Sequence, residues 1–266
     1  MPTTYTHYRF GMDVLSQLPD SLKKEIEKNL SLYHIGLHGP DILFYYKALS
    51  RNKVNRYGSF LHDQSASDFL SAQKKVLSSL SDGTSSVSYL YGFISHFILD
   101  TYCHPYVGEI EHITGLSHSE IEADFDRLLL VKDGLNPVSA KLTSHLKVNT
   151  EIAASISKFY PDWMTAEHIT QALQSMIKLL DFLVAPQKLK RFFINFILKR
   201  SGNYDSMHGL IINYEPNPVL VPHCEKLYAI YQASIPICIK SILEYQDFLQ
   251  HDTVLSEVFQ RTFEHE

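Results

Sequence analysis

The chain has no run of about 18 apolar residues, which excludes a helix spanning a membrane. Its opening residues, Met1 to His7, hold no basic stretch followed by an apolar one. No secretory signal is therefore expected, and the expected localisation is cytoplasmic. Cysteine is scarce. Cys103, Cys224 and Cys238 are odd in number and have neither metal-site nor disulfide-framework spacing, so they read as free thiols. Strand signals are nearly missing, since Val219 to Val221 is too short to count. There is no internal repeat and no low-complexity tract. Positive charge is not in excess either. A net charge of -5 argues against a protein that grips nucleic acid through its phosphates.

What is present suffices for a large core. The chain has 266 residues, 45% of them hydrophobic and 20% charged, which places it among globular proteins. Apolar periodicity predicts helices from Thr6 to Leu18, from Asp20, from Ile42 to Leu49 and from Ser67 to Leu80. Two glycines and a proline make Tyr33 to Asp41 a tight, irregular turn, and Ser50 to Ser59 reads as a polar loop. A central helix is expected from Thr84 to Cys103, ending at His104 because Pro105 disfavours the α region for the residue before it. A loop from Pro105 to Leu116 would follow. Ser117 and Glu120 then form a capping box that makes His118 the first residue of a helix reaching Val131. Further helices are expected at 138–147, 149–159, 165–184 and 187–200. After a polar loop from Ser201 to Pro222 come helices at 223–250 and 252–264. The expected fold is a single all-α domain covering 1–266.

The chain is rich in histidine, with fourteen. Those in the first half fall into a pattern. His96 and Asp100 are four apart inside the apolar run Tyr89 to Leu99, and residues four apart share a helix face. His118 and Glu122 repeat the spacing, and His104 sits at the corner between the two pairs. His7, Asp41 and His62 lie in apolar or turn contexts upstream. A lone histidine on an apolar helix is usually a satisfied core residue, and one His/Asp pair is usually just hydrogen bonded. Five imidazoles and three carboxylates together are different. Burying them without strong partners costs several kcal/mol each, and divalent metals remove that cost. Imidazole and carboxylate are ligands that zinc accepts.

The ordered string His7, Asp41, His62, His96-x-x-x-Asp100, His104-Pro105, His118-x-x-x-Glu122 resembles the zinc-dependent phospholipase C family, which includes bacterial phosphatidylcholine-hydrolysing enzymes and the catalytic domain of clostridial alpha-toxins. The motif string covers roughly 1–130, and residues 150–266 carry no matching motif. The resemblance implies a mostly helical fold holding up to three zinc ions. It assigns Asp41, His62, His96 and Asp100 to one ion, and His104, His118 and Glu122 to a second. His7 and Asp100 would hold a third, with Asp100 bridging. It further implies hydrolysis on the glycerol side of a phospholipid phosphate by a metal-activated hydroxide, with Asp41 orienting or deprotonating the water. A phospholipid substrate and peripheral membrane contact are the expected partners; nucleic acid is not. Two alternatives stand beside this reading: a phosphodiesterase like the single-strand-specific zinc nucleases, and a non-catalytic helical protein stabilised by metals.

Other residues invite smaller readings. Tyr45, Tyr46 and Tyr57 suit an aromatic cage for a quaternary ammonium group, although core packing is the favoured reading. His34 and His38 flank the Asp41 turn as orienting residues, and Asp126 either does the same or is a solvated helix residue. His112 competes with His104 from a flexible loop. His145, His168, His208, His223, His251 and His265 read as residues without partners. Lys188 to Arg200 has an apolar middle and basic ends. It suits an anionic membrane surface or, as the favoured reading, a buried helix with solvated ends.

Overall fold

A helix that is apolar all round belongs in the middle of a core. The stretch from Ser86 to Thr101 is apolar over most of its surface, and every residue in it is buried. In the computed structural model, which describes residues 4–80, 83–202, 204–251 and 253–263, it forms the centre of the long helix α6 (Gly83–Thr114). Before it come α1 (Thr4–Gln17), α2 (Asp20–Lys28), α3 (Leu30–Gly36), α4 (Lys53–Asp63) and α5 (Ala66–Ser79). After it come α7 (His118–Lys132), α8 (Thr150–Ser157), α9 (Ala166–Leu183), α10 (Lys188–Ser201), α11 (Tyr204–Met207) and α12 (Val221–Gln250). The fold is all-α, and no strand occurs among the described residues. Helices α1, α2, α3, α5, α7, α8 and α12 all pack on α6. Among the described residues no helix is long and apolar enough to cross a membrane. The three cysteines are free and buried.

Helices α3 and α6 cross closely where Gly36 meets Gly92. A methyl group on Gly36 would lie 2.1 Å from the Tyr89 carbonyl oxygen, and one on Gly92 would lie 2.3 Å from that of Tyr33. Backbone thus touches backbone, and the turn following α3 is delivered directly onto His96.

Five sequence expectations are corrected. The helix expected to stop at His104 continues through Pro105 to Thr114. A proline inside a helix forfeits a hydrogen bond and costs about 3 kcal/mol, but packing of α6 against its neighbours outweighs that. The Ser50 to Ser59 loop is mostly α4, which begins after Asn52, whose side chain accepts from the Val54 and Asn55 amides. In place of a helix from Ile42 to Leu49 there is a 3-10 turn, Gly39–Tyr45. The Asn55 side chain donates to the carbonyls of Leu43, Phe44 and Tyr46, which holds that segment open. No helix forms at 138–147; the Asn136 side chain and carbonyl divert the chain, and His145 is drawn to His38 and Tyr8. Within the last expected helix, whose end residues 252 and 264 lie outside the described residues, only the 3-10 turn Glu257–Gln260 forms. The carbonyls that follow it serve other groups: Arg261 accepts from the Ala66 amide, Thr262 from Thr101 and Phe263 from His104.

The Gly36/Gly92 crossing generates a prediction. Gly36→Ala forces the two backbones apart and is expected to cost about 1–3 kcal/mol, the usual range for overpacking. Urea titration of the wild type and the variant measures it.

Candidate metal centre

Continuation of α6 through Pro105 places His96, Asp100 and His104 at successive steps of four on one helix, so all three share a face. The other candidates arrive from elements packed on that helix. His7 comes from α1, Asp41 from the 3-10 turn, His62 from α4, and His118 with Glu122 from α7. The capping box at Ser117 and Glu120 is formed, with the Glu120 carboxylate accepting from the Ser117 amide at 3.1 Å, and His118 is the first residue of its helix.

All eight side chains meet. They form an alternating string of imidazole and carboxylate in which no step exceeds 3.7 Å. His118 Nε2 is 3.0 Å from Glu122 Oε1, which is 3.6 Å from His104 Nε2. His104 is 3.5 Å from Asp100 Oδ1, and the same oxygen is 3.2 Å from His7 Nε2. Asp100 Oδ2 is 3.0 Å from His96 Nε2, which is 3.7 Å from Asp41 Oδ2. Asp41 Oδ1 is 2.9 Å from His62 Nε2. The donor atoms group into three triads within 4.8 Å: Asp41, His62 and His96; His7, His96 and Asp100; and His104, His118 and Glu122. His96 therefore belongs to two groups, and Asp100 lies between His7, His96 and His104.

Every imidazole turns its Nε2 toward this string, and for three of them the other nitrogen explains why. His62 Nδ1 is 2.8 Å from the Gly58 carbonyl, and His104 Nδ1 is 3.1 Å from that of Phe263. A carbonyl only accepts, so both Nδ1 atoms carry a proton and Nε2 is the nitrogen left for a cation to take. His118 Nδ1 is 3.2 Å from Glu111 Oε2, a carboxylate that plays the same part. His96 is seated by Gly39, whose φ of +45° suits glycine and whose missing side chain leaves room for the ring; a Cβ there would fall 2.3 Å from His96 Cδ2. The His7 and His96 rings stack at 4.3 Å.

The residues fit a cation. Both oxygens of Asp41, both ring nitrogens of His96, Asp100 Oδ2, Glu122 Oε2 and His7 Nδ1 are buried without a hydrogen bond. Orphaned polar atoms at this density are costly unless something else satisfies them. Zinc bonds of 2.0–2.2 Å set tetrahedral donors roughly 3.3–3.6 Å apart, close to the spacings here. A small cavity of about 20 Å³ lies between His7, Asp100, His104 and Glu122, closed on its other side by Leu99, Val107, Phe125 and Leu227. The string is open at one end: the His62 side chain at the far end is 9% exposed, whereas the His118 side chain is 34% exposed.

Without a cation the acids and bases lean on one another. Burial opposes charge on His7, yet Asp100, then Asp41 and Glu122, raise its pKa. Burial likewise opposes charge on His62 and His118, which Asp41 and Glu122 respectively raise. His104 is pushed up to about 9, against its burial, by Asp100 and Glu122. Burial would raise Asp100, but His96, His104 and His7 draw it well below the usual carboxylate range. Glu122 is lowered in the same way by His118 and His104.

Two supporting groups escaped the sequence reading, and a third was read only in outline. Glu111 fell in the expected loop. Phe263 acts through its backbone carbonyl, and its ring lies 5.0 Å from that of His62 and 5.7 Å from that of His96. Asp126, placed no more narrowly than orienting or solvated, is buried and accepts from the Thr6 amide at 2.7 Å, the Thr6 hydroxyl at 2.5 Å and the Tyr5 amide at 3.2 Å. It thus caps α1 from α7 and ties His7 to the helix bearing His118 and Glu122.

Several smaller readings also change. His145 is not without a partner, since its Nε2 is 2.8 Å from that of His38 and its carbonyl 3.2 Å from His34 Nδ1. His223 meets the Tyr106 hydroxyl at 2.7 Å, His251 meets Asp247 at 2.8 Å, His208 meets Glu120 at 3.6 Å, and His168 caps α9 with Thr165. His265 lies outside the described residues. His112 is in the last turn of α6 rather than in a flexible loop. Tyr45 is buried, whereas Tyr46 packs on His168 and Tyr57 on Trp163.

A family model described as zinc dependent phospholipase C matches residues 6–182, well past the last of the motif residues. No match occurs among curated proteins or among solved structures.

Two predictions follow from this geometry. His7, His62, His104 and His118 have pKa values raised above the 6.5 of the unfolded chain. Their contribution to the metal-free fold is complete below pH 6.5 and is lost as pH rises through their folded values, about 9 for His104. On the acid side, the lowered carboxylates Asp100 and Glu122 and the lowered imidazoles His38 and His145 remove stability as pH falls. Chelator-treated protein should therefore melt highest near pH 6.5 and progressively lower toward pH 9, and zinc should flatten the alkaline limb. Thermal melts across that range test it. Separately, Asp126→Ala removes a charged cap from α1 and should cost about 2 kcal/mol in denaturant titration.

Proposed function

The chain belongs to the zinc-dependent phospholipase C family, and from that premise we propose that it is a phospholipase C, a metal-dependent hydrolase that cleaves the glycerol side of a phospholipid phosphate. The observation that carries the reading is the alternating eight-residue string, buried at one end and open at the other. The residues fit up to three zinc ions: Asp41, His62 and His96 for one, His104, His118 and Glu122 for another, and His7 with Asp100 for a third. Asp100 would be the residue shared between ions, since its two oxygens face different imidazoles. When bound, zinc supplies Lewis acidity toward phosphoryl oxygens, a water of pKa near 7 and a positive excess over the three carboxylates.

The chain's own groups do the rest. Asp41, with neither oxygen in hydrogen-bond geometry, is the base that orients the attacking water and takes its proton. The Gly58, Phe263 and Glu111 oxygens hold three imidazoles by Nδ1, so that Nε2 is the nitrogen left for a cation to take. The exposed edge at His118 is where a phosphodiester enters. That opening favours a catalytic over a purely structural centre, since structural zinc sites are closed. The substrate class follows from the family and from the net charge of -5, which disfavours a polyanionic nucleic acid.

The test is direct. Purified protein is expected to contain zinc by elemental analysis and to release phosphocholine or a related head-group phosphate from phospholipid, with single-stranded DNA as the parallel substrate. Asp100→Asn should abolish turnover, and Asp41→Asn should lower kcat by about a hundredfold or more. Undiminished turnover in Asp100→Asn overturns the assignment, and cleavage of DNA but not lipid moves it to the nuclease class.

A further inference from the structure

Helix α10 departs from the buried helix expected for it. Leu189, Phe192, Phe193, Phe196 and Ile197 are between 50 and 67% exposed. Their spacing of 3, 1, 3 and 1 is that of a single helical stripe, so one whole face of the helix is apolar and uncovered. The opposite face is anchored. Ile194 and Leu198 are buried in a small cluster with Leu183, Ala185, Met207 and Ile211. Lys190 Nζ donates to the Val184 carbonyl at 2.5 Å, and the Arg191 guanidinium donates to those of Ile212 at 2.6 Å and Ala185 at 3.3 Å. Gly202 closes the helix in the left-handed conformation. The apolar stripe is thus presented by a clamped helix.

Its charge is equally one-sided. Lys188, Lys190, Arg191, Lys199 and Arg200 fall within α10, and no acidic residue occurs from 182 to 204, in a chain whose net charge is -5. Apolar aromatics framed by basic ends match an anionic lipid interface, where rings enter the acyl boundary and ammonium and guanidinium groups meet phosphates. A second copy of this chain fits poorly, because a two-fold contact through this face would bring the exposed Lys188, Lys199 and Arg200 of one copy against the same three cations of the other. At 14 residues the helix is about 21 Å long, too short to cross a bilayer and suited to lying in its surface.

Its place in the fold connects it to the candidate centre. The 3-10 turn His208–Leu210, which packs with α11 next to α10, presses on the start of α7. A Cβ on Gly209 would lie 2.4 Å from Ser119 Oγ, and His208 is 3.6 Å from Glu120. Ser119 and Glu120 directly follow His118, the exposed edge of the string.

We propose that α10 is a membrane-docking helix that seats the protein on an anionic phospholipid surface, with Phe192, Phe193 and Phe196 inserted and Lys199 and Arg200 at the phosphates. The proposal deepens the phospholipase reading and rests on it for its purpose, but binding alone tests it.

The experiment is co-sedimentation of the zinc-loaded protein with phosphatidylcholine vesicles with and without phosphatidylglycerol, paired with hydrolysis of a short-chain phospholipid below its micelle-forming concentration. Wild type should bind, and bind more tightly with phosphatidylglycerol. Phe193→Ser/Phe196→Ser, altered only at exposed positions, should lose about a hundredfold in partitioning and keep its rate on the monomeric substrate. Lys199→Glu/Arg200→Glu should lose about tenfold on phosphatidylglycerol vesicles and little on phosphatidylcholine alone. Failure of wild type to sediment with either vesicle, or undiminished binding by the phenylalanine variant, overturns the proposal. So does a concentration-dependent dimer that the same variant abolishes while vesicle binding is nil. Vesicle binding that follows these variants without any lipid hydrolysis supports the docking helix and counts against the catalytic reading alone.

Discussion

Asp100 lies between Leu99 and Thr101 in the middle of α6, 2% exposed, and a carboxylate in such a place is tolerable only with positive charge or proton donors around it. His7 and His96 are within 3.2 Å of it and His104 within 3.5 Å. None of these can be removed without leaving Asp100 less compensated, and removing Asp100 would leave His7 without its carboxylate and His96 and His104 with only Asp41 and Glu122, at 3.7 and 3.6 Å. This mutual dependence extends outward through Glu122 and Asp41 to both ends of the string. A bound cation suits the arrangement better than protons do, because it satisfies nitrogen and oxygen lone pairs together.

The fold is arranged to make that meeting possible. The central helix contributes three of the eight groups, and the elements carrying the other five all rest on it or on one another. Contact at Gly36 and Gly92 brings α3 close enough for the following turn to set Gly39 against His96. Asp126 binds α1 to α7, which fixes the helix of His7 against that of the His118/Glu122 pair. The far end of the chain returns to complete the centre, with the Phe263 carbonyl holding His104 and its ring beside His62 and His96. Residues without any metal-ligand chemistry thus set the tautomer and seating of those that have it.

What could be read from the sequence and what could not separate along a physical line. Pairs four apart on a helix are local, so His96 with Asp100 and His118 with Glu122 were legible from spacing alone, and the capping box before His118 was a local signal as well. Pro105 was read by its local preference, and that reading hid two things: the shared face of His104 with Asp100, and the placement of Glu111 beside His118. Tertiary packing decided both. The Asn52 cap is a local signal that the reading of Ser50 to Ser59 as a polar loop passes over, so the helix leading to His62 is missed. The Phe263 carbonyl left no trace in the sequence, because any residue has one. Nor could composition tell which face of α10 is covered, since both faces are apolar and only the folded chain shows that Ile194 and Leu198 turn inward while the phenylalanines do not.

The gradient of burial along the string bears on what kind of centre this is. A staple gains nothing from an exposed member, because solvent at one ligand weakens the electrostatics of the rest. Here the exposed member, His118, is braced rather than covered. Glu111 holds its outer nitrogen, Glu122 faces its inner one, and the turn at Gly209 presses on the residues just after it. Bracing an open ligand keeps its geometry while leaving room for a substrate oxygen, which is the compromise a catalytic centre requires and a structural one does not. The same brace is continuous with α10. The apolar stripe and the open edge are therefore joined through contiguous packing from α10 through the His208–Leu210 turn to the start of α7.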